Sequence, residues 1–407
     1  MNIALGLLLL GALGCDPPQR HELQPALAPQ PVEVYQEAWR RSPGDLQGLR
    51  QLGWALLLQQ RFGEAIEAFE QLVRQAPEDP DAYYYLGVAL ARQQRKGEAI
   101  RALENALALA PGLAEGQWGL ALLYNERVDG YEGALEACAR GLEVAPNNAY
   151  GHFVLGFVRV SRGDNEPATA ALARAIELDP ALAQAHYYLA MIHLRLGREE
   201  EATAAVERTL EADPEYTEAY YTLGTLYARA GRMTEGQQLI ELFQKRSDRR
   251  MQEDHYRRLL YQQATPLEGR EKAAAHHNLG LAYLGQQRFD AAFQQFESAL
   301  RADSANAEAW HNLGAIHSRR GQYTQAASCF KRALALKPAY VLASRNLAQV
   351  QLLRAEYAAA ELSFRQVVAQ GGTAEDYHGL GTALIQQGRI REGEEARARA
   401  RAMGGKP

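Results

Sequence analysis

The stretch Ala309–Pro338 reads AWHNLGAIHSRRGQYTQAASCFKRALALKP, and close copies of it occur elsewhere in the chain. One copy begins at Ala275 and reads AHHNLGLAYLGQQRFDAAFQQFESALRADS, and another begins at Ala82 and reads AYYYLGVALARQQRKGEAIRALENALALAP. Leu-Gly pairs recur with a spacing of 34 residues in both halves of the chain, at Leu52 and Leu86 and again at Leu279 and Leu313. A fixed period of this length indicates a repeat architecture, because one small structural unit is copied along the chain.

Each unit predicts two short helices that pack against each other. In the unit that starts at Ala307, the apolar face of the first helix has the spacing i, i+3, i+4 and i+7 and consists of Trp310, Leu313, Gly314 and His317. The apolar face of the second helix consists of Ala326, Phe330 and Ala333. Gly321 ends the first helix and Pro338 ends the second. Because two such short helices cannot bury both faces alone, neighbouring units must stack.

About ten such units are expected. They begin near Leu46, Pro80, Ala114, Ala149, Ala183, Thr217, Ala273, Ala307, Val341 and Ala374. From Val32 to the C-terminus the pattern resembles the tetratricopeptide repeat (TPR) family. The resemblance implies an all-α fold, an α-solenoid of stacked antiparallel helix pairs that forms a superhelix, with the first helices lining a concave groove.

One break interrupts the period. The distance from Thr217 to Ala273 is 56 residues, which is 22 more than one period. Because 237–265 contains neither Gly nor Pro, one long helix that ends near Thr265 is expected. The predicted organisation is an N-terminal repeat block over 32–232, a helical junction over 233–269 and a C-terminal block with a capping helix over 270–407. We expect both blocks to fold when the chain is cut between Gln263 and Leu267.

The N-terminus predicts an export signal and a lipid anchor. The run Ile3–Leu13 is apolar but only 11 residues long, whereas a membrane-spanning helix needs about 20. It leads into Ala12-Leu13-Gly14-Cys15, which resembles the bacterial lipobox. This resemblance implies a signal peptide over 1–15, a lipid on Cys15 and a lipid-anchored protein of the bacterial cell envelope, facing the periplasm or the exterior. An ordinary secretory signal, an uncleaved anchor and a misassigned start are the alternatives.

The segment after Cys15 predicts a tether. Residues 16–31 include five prolines and show no helical period. Proline-rich segments are stiff and extended. The order of parts is therefore an anchor over 1–15, a tether over 16–31 and then the repeats.

Composition and the absence of sequence motifs exclude several functional classes. The formal net charge is −5, and no cluster of basic residues with interleaved aromatics is present, so no nucleic-acid partner is expected. The patterns HExxH, GxSxG, GxxxxGK[ST] and GxGxxG do not occur, so we predict no enzymatic activity, no catalytic residue, no metal and no cofactor. Cys138 and Cys329 lie in different units without a CxxC pair, which predicts two free, packed thiols.

A second stripe on the first helices provides the candidate binding residues. It consists of the residue two before each Leu-Gly or Leu-Ala pair together with the residues four and seven later, and we call it the groove stripe. In the N-terminal block its aromatic members are Tyr84, Trp118, Phe153, Phe157, Tyr187 and Tyr221. In the C-terminal block its leading residues are His277, His311, Arg345 and His378, and beside them run Asn278, Asn312 and Asn346. Because an Asn amide is both donor and acceptor, this Asn series can pair with the backbone of an extended peptide.

We interpret the chain as a non-catalytic protein–protein interaction scaffold, or adaptor, of the bacterial cell envelope. Its partners would be proteins that place extended peptide segments in the groove. Two alternatives are open. The aromatic members of the groove stripe could bind a glycan or an apolar ligand, or the chain could be the regulatory subunit of a separately encoded enzyme.

Overall fold

The computed structural model describes residues 32–261 and 267–404, and these residues form 21 helices and no strand. In chain order the helices are α1 (Val32–Arg41), α2 (Leu46–Leu58), α3 (Phe62–Gln75), α4 (Pro80–Arg92), α5 (Lys96–Leu109), α6 (Ala114–Asn125), α7 (Tyr131–Val144), α8 (Ala149–Arg162), α9 (Asn165–Leu178), α10 (Ala183–Arg195), α11 (Glu199–Ala212), α12 (Thr217–Arg229), α13 (Met233–Tyr261), α14 (Gly269–Gly285), α15 (Phe289–Ala302), α16 (Ala307–Arg319), α17 (Tyr323–Leu336), α18 (Val341–Leu353), α19 (Tyr357–Ala369), α20 (Ala374–Gln386) and α21 (Ile390–Ala402).

The predicted all-α repeat fold is confirmed. Helices α2 to α21 form ten successive pairs, and the first helix of each pair begins at the predicted residue in nine of the ten. The exception is the seventh pair, whose first helix begins at Gly269 rather than near Ala273. The described residues divide into two compact units, one ending at Asp248 and the other beginning at Arg249.

The core of the pair α16–α17 contains most of the residues that the period selects, while Trp310 and His317 are half-buried. In the pair α16–α17, Ala326, Phe330 and Ala333 are fully buried. A Cβ atom added at Gly314 would lie 2.7 Å from Phe330 Cε1. The glycine therefore lets the phenylalanine ring of the second helix lie against the backbone of the first.

The turns inside nine of the ten pairs share one backbone conformation; in the pair α6–α7 the turn is longer and Gly130 has φ −90°. Gly321 adopts φ 72°, in the left-handed region that glycine favours. Four pairs have a residue with a side chain at the same place and keep positive φ values, namely Gln60 (57°), Gln94 (62°), Gln287 (59°) and Ala355 (58°). The turn geometry is thus set by the packing of the pair, and these four residues adopt it at a conformational cost.

Neighbouring pairs are also held in register at the edge formed by these turns. An arginine near the end of a first helix lies over the aromatic ring that starts the second helix of the preceding pair. Examples are Arg92 over Phe62 (4.9 Å), Arg162 over Tyr131 (5.2 Å) and Arg319 over Phe289 (4.0 Å). Each is a cation–π contact that recurs with the repeat and fixes the stacking of the next pair.

The long helix α13 has 29 residues, which corresponds to about 43 Å. Its first part packs on α12, where a Cβ added at Gly224 would lie 2.8 Å from the carbonyl oxygen of Gly236. In the second unit, Glu253 and Arg257 of α13 are buried and form an i, i+4 ion pair. The predicted end of this helix near Thr265 lies outside the described residues. The division into a junction and two separately folding blocks stays a prediction.

Candidate functional site

The aromatic members of the groove stripe are buried in the earlier repeats of the first unit and become exposed only toward its end. Tyr84, Trp118 and Phe153 are 7%, 2% and 0% exposed. Phe157 and Tyr187 are half-buried, and Tyr221 is 51% exposed. The expectation of an accessible aromatic series is therefore wrong for its first three members, which belong to the core.

Trp118 shows why this part of the stripe is closed. A Cβ added at Gly141 would lie 2.3 Å from Trp118 Nε1, and one added at Gly151 would lie 2.6 Å from Trp118 Cζ2. Gly141 is in the second helix of the same pair and Gly151 is in the first helix of the next pair. The indole therefore fills a slot that two glycines create, and a neighbouring helix covers it.

The buried rings extend across several pairs through aromatic residues that sequence analysis did not select. Tyr150 contacts Trp118 with ring centroids 6.0 Å apart, and Tyr188 contacts Phe153 at 5.9 Å. Beside Tyr150 is a cavity of about 10 Å³ that Tyr84 and Val88 also line, which is about the space of one water molecule. This region is packed interior and leaves no room for a sugar ring.

In the second unit the same stripe is polar and more accessible. His277, His311 and Arg345 are half-buried, and His378 is exposed. The three asparagines Asn278, Asn312 and Asn346 are half-buried beside them. This stripe therefore contains hydrogen-bonding groups that solvent reaches.

Two of the asparagines have partners inside the protein. Asn312 Nδ2 donates to His277 Nε2 at 3.1 Å, and Asn346 Nδ2 donates to His311 Nε2 at 3.0 Å. Each bond joins an asparagine to the histidine of the preceding pair, 35 residues earlier in the chain. The structure thus brings the predicted His and Asn residues together, and part of the hydrogen-bonding capacity of each amide is used between repeats.

Burial makes both histidines less basic. It lowers the pKa of His277, and the nearby carboxylate of Glu308 opposes this effect without cancelling it. Burial also lowers the pKa of His311, against the opposing contributions of Asn312 and Glu308. Since an unperturbed histidine has a pKa near 6.5, both imidazoles are neutral at pH 7 and their Nε2 atoms can accept a hydrogen bond.

Arg345 also has an internal partner. Its Nε and a terminal nitrogen each donate to Asp376 at 2.8 Å. Burial alone would raise the pKa of the Asp376 carboxyl, but the hydrogen bonds from Arg345 and Thr373 outweigh it and lower that pKa. Arg345 is therefore a clamp between neighbouring pairs, which limits its availability to a ligand.

Leucines accompany the polar groups on this stripe. Leu281 follows His277 by one helical turn and is 43% exposed, and Leu342 precedes Arg345 by one turn and is 49% exposed. Half-exposed apolar side chains next to solvated amides are a combination that peptide-binding surfaces use. We call the surface formed by Leu281, Leu342, the three asparagines and the histidines His277 and His311 the polar face.

A second group that sequence analysis missed lies on α13. Arg257 donates to the hydroxyl oxygen of Tyr283 at 2.7 Å, and Gln286 Nε2 donates to the Glu253 carboxylate at 2.7 Å. An acidic and a basic residue four apart are common on solvent-exposed helix faces, so the sequence carries no signal that this pair is buried. The network belongs to the packing of the second unit.

The remaining candidate groups are the cysteines and clusters that could bind a metal. Cys138 and Cys329 are free and buried, and burial raises the pKa of Cys138 to about 12 and that of Cys329 to about 11. Within 32–261 and 267–404, no group of three or more His, Cys, Asp and Glu residues could hold a metal ion. In the same part of the chain, no helix has the length and apolar character that crossing a membrane requires. Cys15 lies outside the described residues.

Comparisons with solved structures give the following similarities. TTC0263, a thermophilic TPR protein of Thermus thermophilus, is 24% identical over 45% of this chain and 99% of its own, with a TM-score of 0.41. The anaphase-promoting-complex assembly Cut9–Hcn1 is 16% identical over 78% of this chain and 58% of the matched chain, with a TM-score of 0.40. MamA from Desulfovibrio magneticus RS-1 is 19% identical over 46% of this chain and 96% of its own, with a TM-score of 0.35. No curated protein matches the chain.

Family models give a direct assignment. One model described as a tetratricopeptide repeat matches residues 50–114, 153–214, 200–244 and 311–375, and a second with the same description matches 271–339. The matched segments lie in both compact units and coincide with the helix pairs described above. Because the first model alone matches more than half of the chain, this protein belongs to the tetratricopeptide repeat family.

Proposed function

We propose that this protein is an interaction scaffold whose polar face binds an extended peptide segment of a partner protein. Its coarse role follows from its family, since tetratricopeptide repeats bind protein partners and are typically non-catalytic. What we propose beyond this role is that the ligand is a peptide and that it binds on the second unit.

One observation supports the choice of the second unit. The leading residue of the groove stripe is buried in three repeats of the first unit, at Tyr84, Trp118 and Phe153. In the second unit the corresponding residues are half-buried or exposed, as at His311 and His378. A ligand on the first helices can therefore reach hydrogen-bonding groups in the second unit, whereas in three repeats of the first unit it would meet packed rings.

The chemistry of the polar face suits a peptide backbone with apolar side chains. An extended chain presents N–H and C=O groups that amides can pair with whatever its sequence. Leu281 and Leu342 lie in different repeats and offer apolar surface to the side chains of that chain. Completing the burial of one half-exposed leucine contributes about 1 kcal/mol.

The test uses a linear-peptide library displayed on phage and the full-length protein. Peptides selected on the wild-type protein are measured by calorimetry against Leu281→Asp/Leu342→Asp and against Leu362→Asp. Leu362 is an exposed leucine on the second helix α19, so it is a matched control for an added charge. We expect the double variant to lose about 30-fold in affinity and the control to bind like wild type. Equal loss in both variants, or no selected peptide, would count against the proposed site.

The structure removes the support for stacking of a glycan on Tyr84, Trp118 and Phe153, because their rings are buried. A regulatory role toward a separately encoded enzyme stays a prediction, and an enzyme partner would use the same peptide contacts.

The second part of the proposal is that Cys15 attaches the scaffold to a membrane of the bacterial cell envelope. It rests on the Ala12-Leu13-Gly14-Cys15 sequence and the proline-rich segment after it. One acyl chain gives only marginal membrane binding, whereas two or more give stable anchoring. We expect wild-type protein to incorporate a labelled fatty acid and sediment with membranes, and Cys15→Ser to do neither. Unchanged labelling and sedimentation of the variant would refute the anchor.

A further inference from the structure

The polar face contains the same inter-repeat contact twice. His277 accepts from Asn312 at 3.1 Å, and His311 accepts from Asn346 at 3.0 Å, both at Nε2 and both from Nδ2 of the asparagine. The imidazole of His277 lies 5.6 Å from the ring of Phe296, and that of His311 lies 5.7 Å from the ring of Phe330, measured between centroids. The two histidines therefore have matching environments, polar on one side and apolar on the other.

We infer that His277 and His311 are positioning residues of the polar face: as neutral imidazoles they hold the amides of Asn312 and Asn346 in one orientation, and on protonation they reverse it. The inference deepens the proposed function and rests on it for its relevance to binding. The orientation itself is a property of the free protein.

The tautomer of each histidine follows from the atoms at the contact. A neutral imidazole has one nitrogen that accepts and one that donates. When Nε2 accepts from the amide Nδ2, the proton of the ring is on Nδ1 and the amide carbonyl oxygen is directed away from the Nε2 contact. An extended peptide that binds here therefore contacts amides whose orientation is already set by the histidines of the preceding repeat.

Protonation changes that contact. An imidazolium carries a proton on both nitrogens and has no acceptor, so Nε2–H and the amide Nδ2–H would face each other as two donors. Turning the amide by half a rotation about its last side-chain bond brings Oδ1 to Nε2–H and directs the NH₂ group away. The same asparagines then present donors where they previously presented acceptors.

The charged and titratable groups near the histidines include Glu308, Lys337 and Tyr340. Glu308 of α16 lies near both imidazoles and favours protonation, and Lys337 donates to Glu308 at 2.8 Å. Tyr340 packs on His311 with ring centroids 5.0 Å apart. Burial outweighs the effect of Glu308 and lowers both histidine pKa values, so the reversal is expected below the pH at which a free histidine titrates, about 6.5.

The first test is a pH titration of the full-length ¹⁵N-labelled protein by NMR. We expect the ring nitrogens of His277 and His311 to titrate below about pH 6.5, and the side-chain NH₂ signals of Asn312 and Asn346 to move with the same midpoints. Asn306 is the control, because its Oδ1 accepts from the backbone N–H of Ala309 at 2.9 Å and no histidine is involved. Asparagine signals that stay constant while the histidines titrate would overturn the inference.

The first copy of the contact is a control for the second. In His311→Gln, the pH dependence of the Asn346 amide is expected to disappear, whereas in His277→Gln it is expected to persist. Asn312 interacts with both histidines, so its signal is expected to change in both variants. A purely structural role would instead change the Asn346 signal in both variants or in neither.

The second test uses a peptide selected on the wild-type protein. We expect its affinity to change about fivefold between pH 7.5 and about pH 5.5, the effect of one altered hydrogen bond, and to be pH-independent in His277→Gln/His311→Gln. A wild-type affinity that does not depend on pH overturns the positioning role. If no peptide binds, the proposed function fails, while the NMR titration still decides the orientation of the amides.

Discussion

At the scale of single residues, the surroundings of a side chain decide its role more than its type does. Trp118 and Tyr221 hold the same place in their repeats, two residues before a leucine. Trp118 is covered by the next first helix, whereas Tyr221 is 51% exposed and contacts Phe243 of α13 at 5.2 Å. The same repeat position is therefore buried in the core in one repeat and exposed to solvent in another.

Trp118→Ala is predicted to destabilise the first unit strongly. It removes a fully buried ring and leaves a cavity between helices that cannot close completely, which costs about 3–5 kcal/mol. The measurement is urea unfolding followed by circular dichroism. Tyr221→Ala is the matched control and is expected to cost about 1 kcal/mol or less. Equal losses in the two variants would show that Trp118 is not a core residue.

At the scale of single residues, the sequence predicts only part of the candidate site. The groove stripe was recognised from its spacing, and the spacing correctly placed His311 beside Asn312 on the first helices. It could not indicate that Trp118 is buried, because helical periodicity specifies a face and not what covers that face. The covering depends on Gly141 and Gly151, which lie in other helices and create the slot for the indole.

At the scale of elements, local sequence signals predict the helices, but they predict the turn conformations only in part. Gly321 predicts a helix end, and the structure gives it a left-handed conformation with φ 72°. At the same turn position Gln60, Gln94, Gln287 and Ala355 have positive φ as well, and nothing in those residue types predicts it. The repeat imposes the conformation on them, because the two helices of these pairs are joined by the same short turn.

Ala355→Gly is therefore predicted to stabilise the second unit. The alanine adopts φ 58°, a conformation that costs a residue with a Cβ about 1 kcal/mol relative to glycine. We expect a gain of about 0.5–1 kcal/mol in urea unfolding, after the greater flexibility of glycine in the unfolded chain is included. The reciprocal control is Gly388→Ala, at φ 81° with open space around the added Cβ. It is expected to lose stability, and a loss in Ala355→Gly would contradict the explanation.

At the scale of the whole molecule, the long helix α13 contributes to two compact units. Leu239 packs in the core of the first unit, and Tyr256 and Leu260 pack in the core of the second. The sequence indicated the position of this helix from the break in period, but it placed the whole segment between the units. The sequence could not show which part of α13 belongs to which unit. The amphipathic pattern of α13 is weak, and its buried pair, Glu253 and Arg257, is charged.

The place at which the chain can be divided follows from this assignment. We predict that fragments 32–248 and 249–404 each fold cooperatively, whereas a fragment that starts at Leu267 is several kcal/mol less stable than 249–404. The shorter fragment loses Tyr256 and Leu260 from the core and leaves the partners of Glu253 and Arg257 unpaired. Urea unfolding of the three fragments is the measurement. Equal stability of 249–404 and 267–404 would show that α13 contributes nothing to the second unit.

The buried pair of Glu253 and Arg257 also has a consequence for the order in which the second unit opens. Repeat arrays exchange amide hydrogens fastest where they fray, which is usually at their ends. One end of this unit is closed by a buried ion pair joined to Tyr283, whereas α21 at the other end has exposed ion pairs such as that between Arg391 and Glu395. Since exposed pairs contribute little, protection against exchange is expected to fall along the unit, from slow at Leu260 to fast at Ala400.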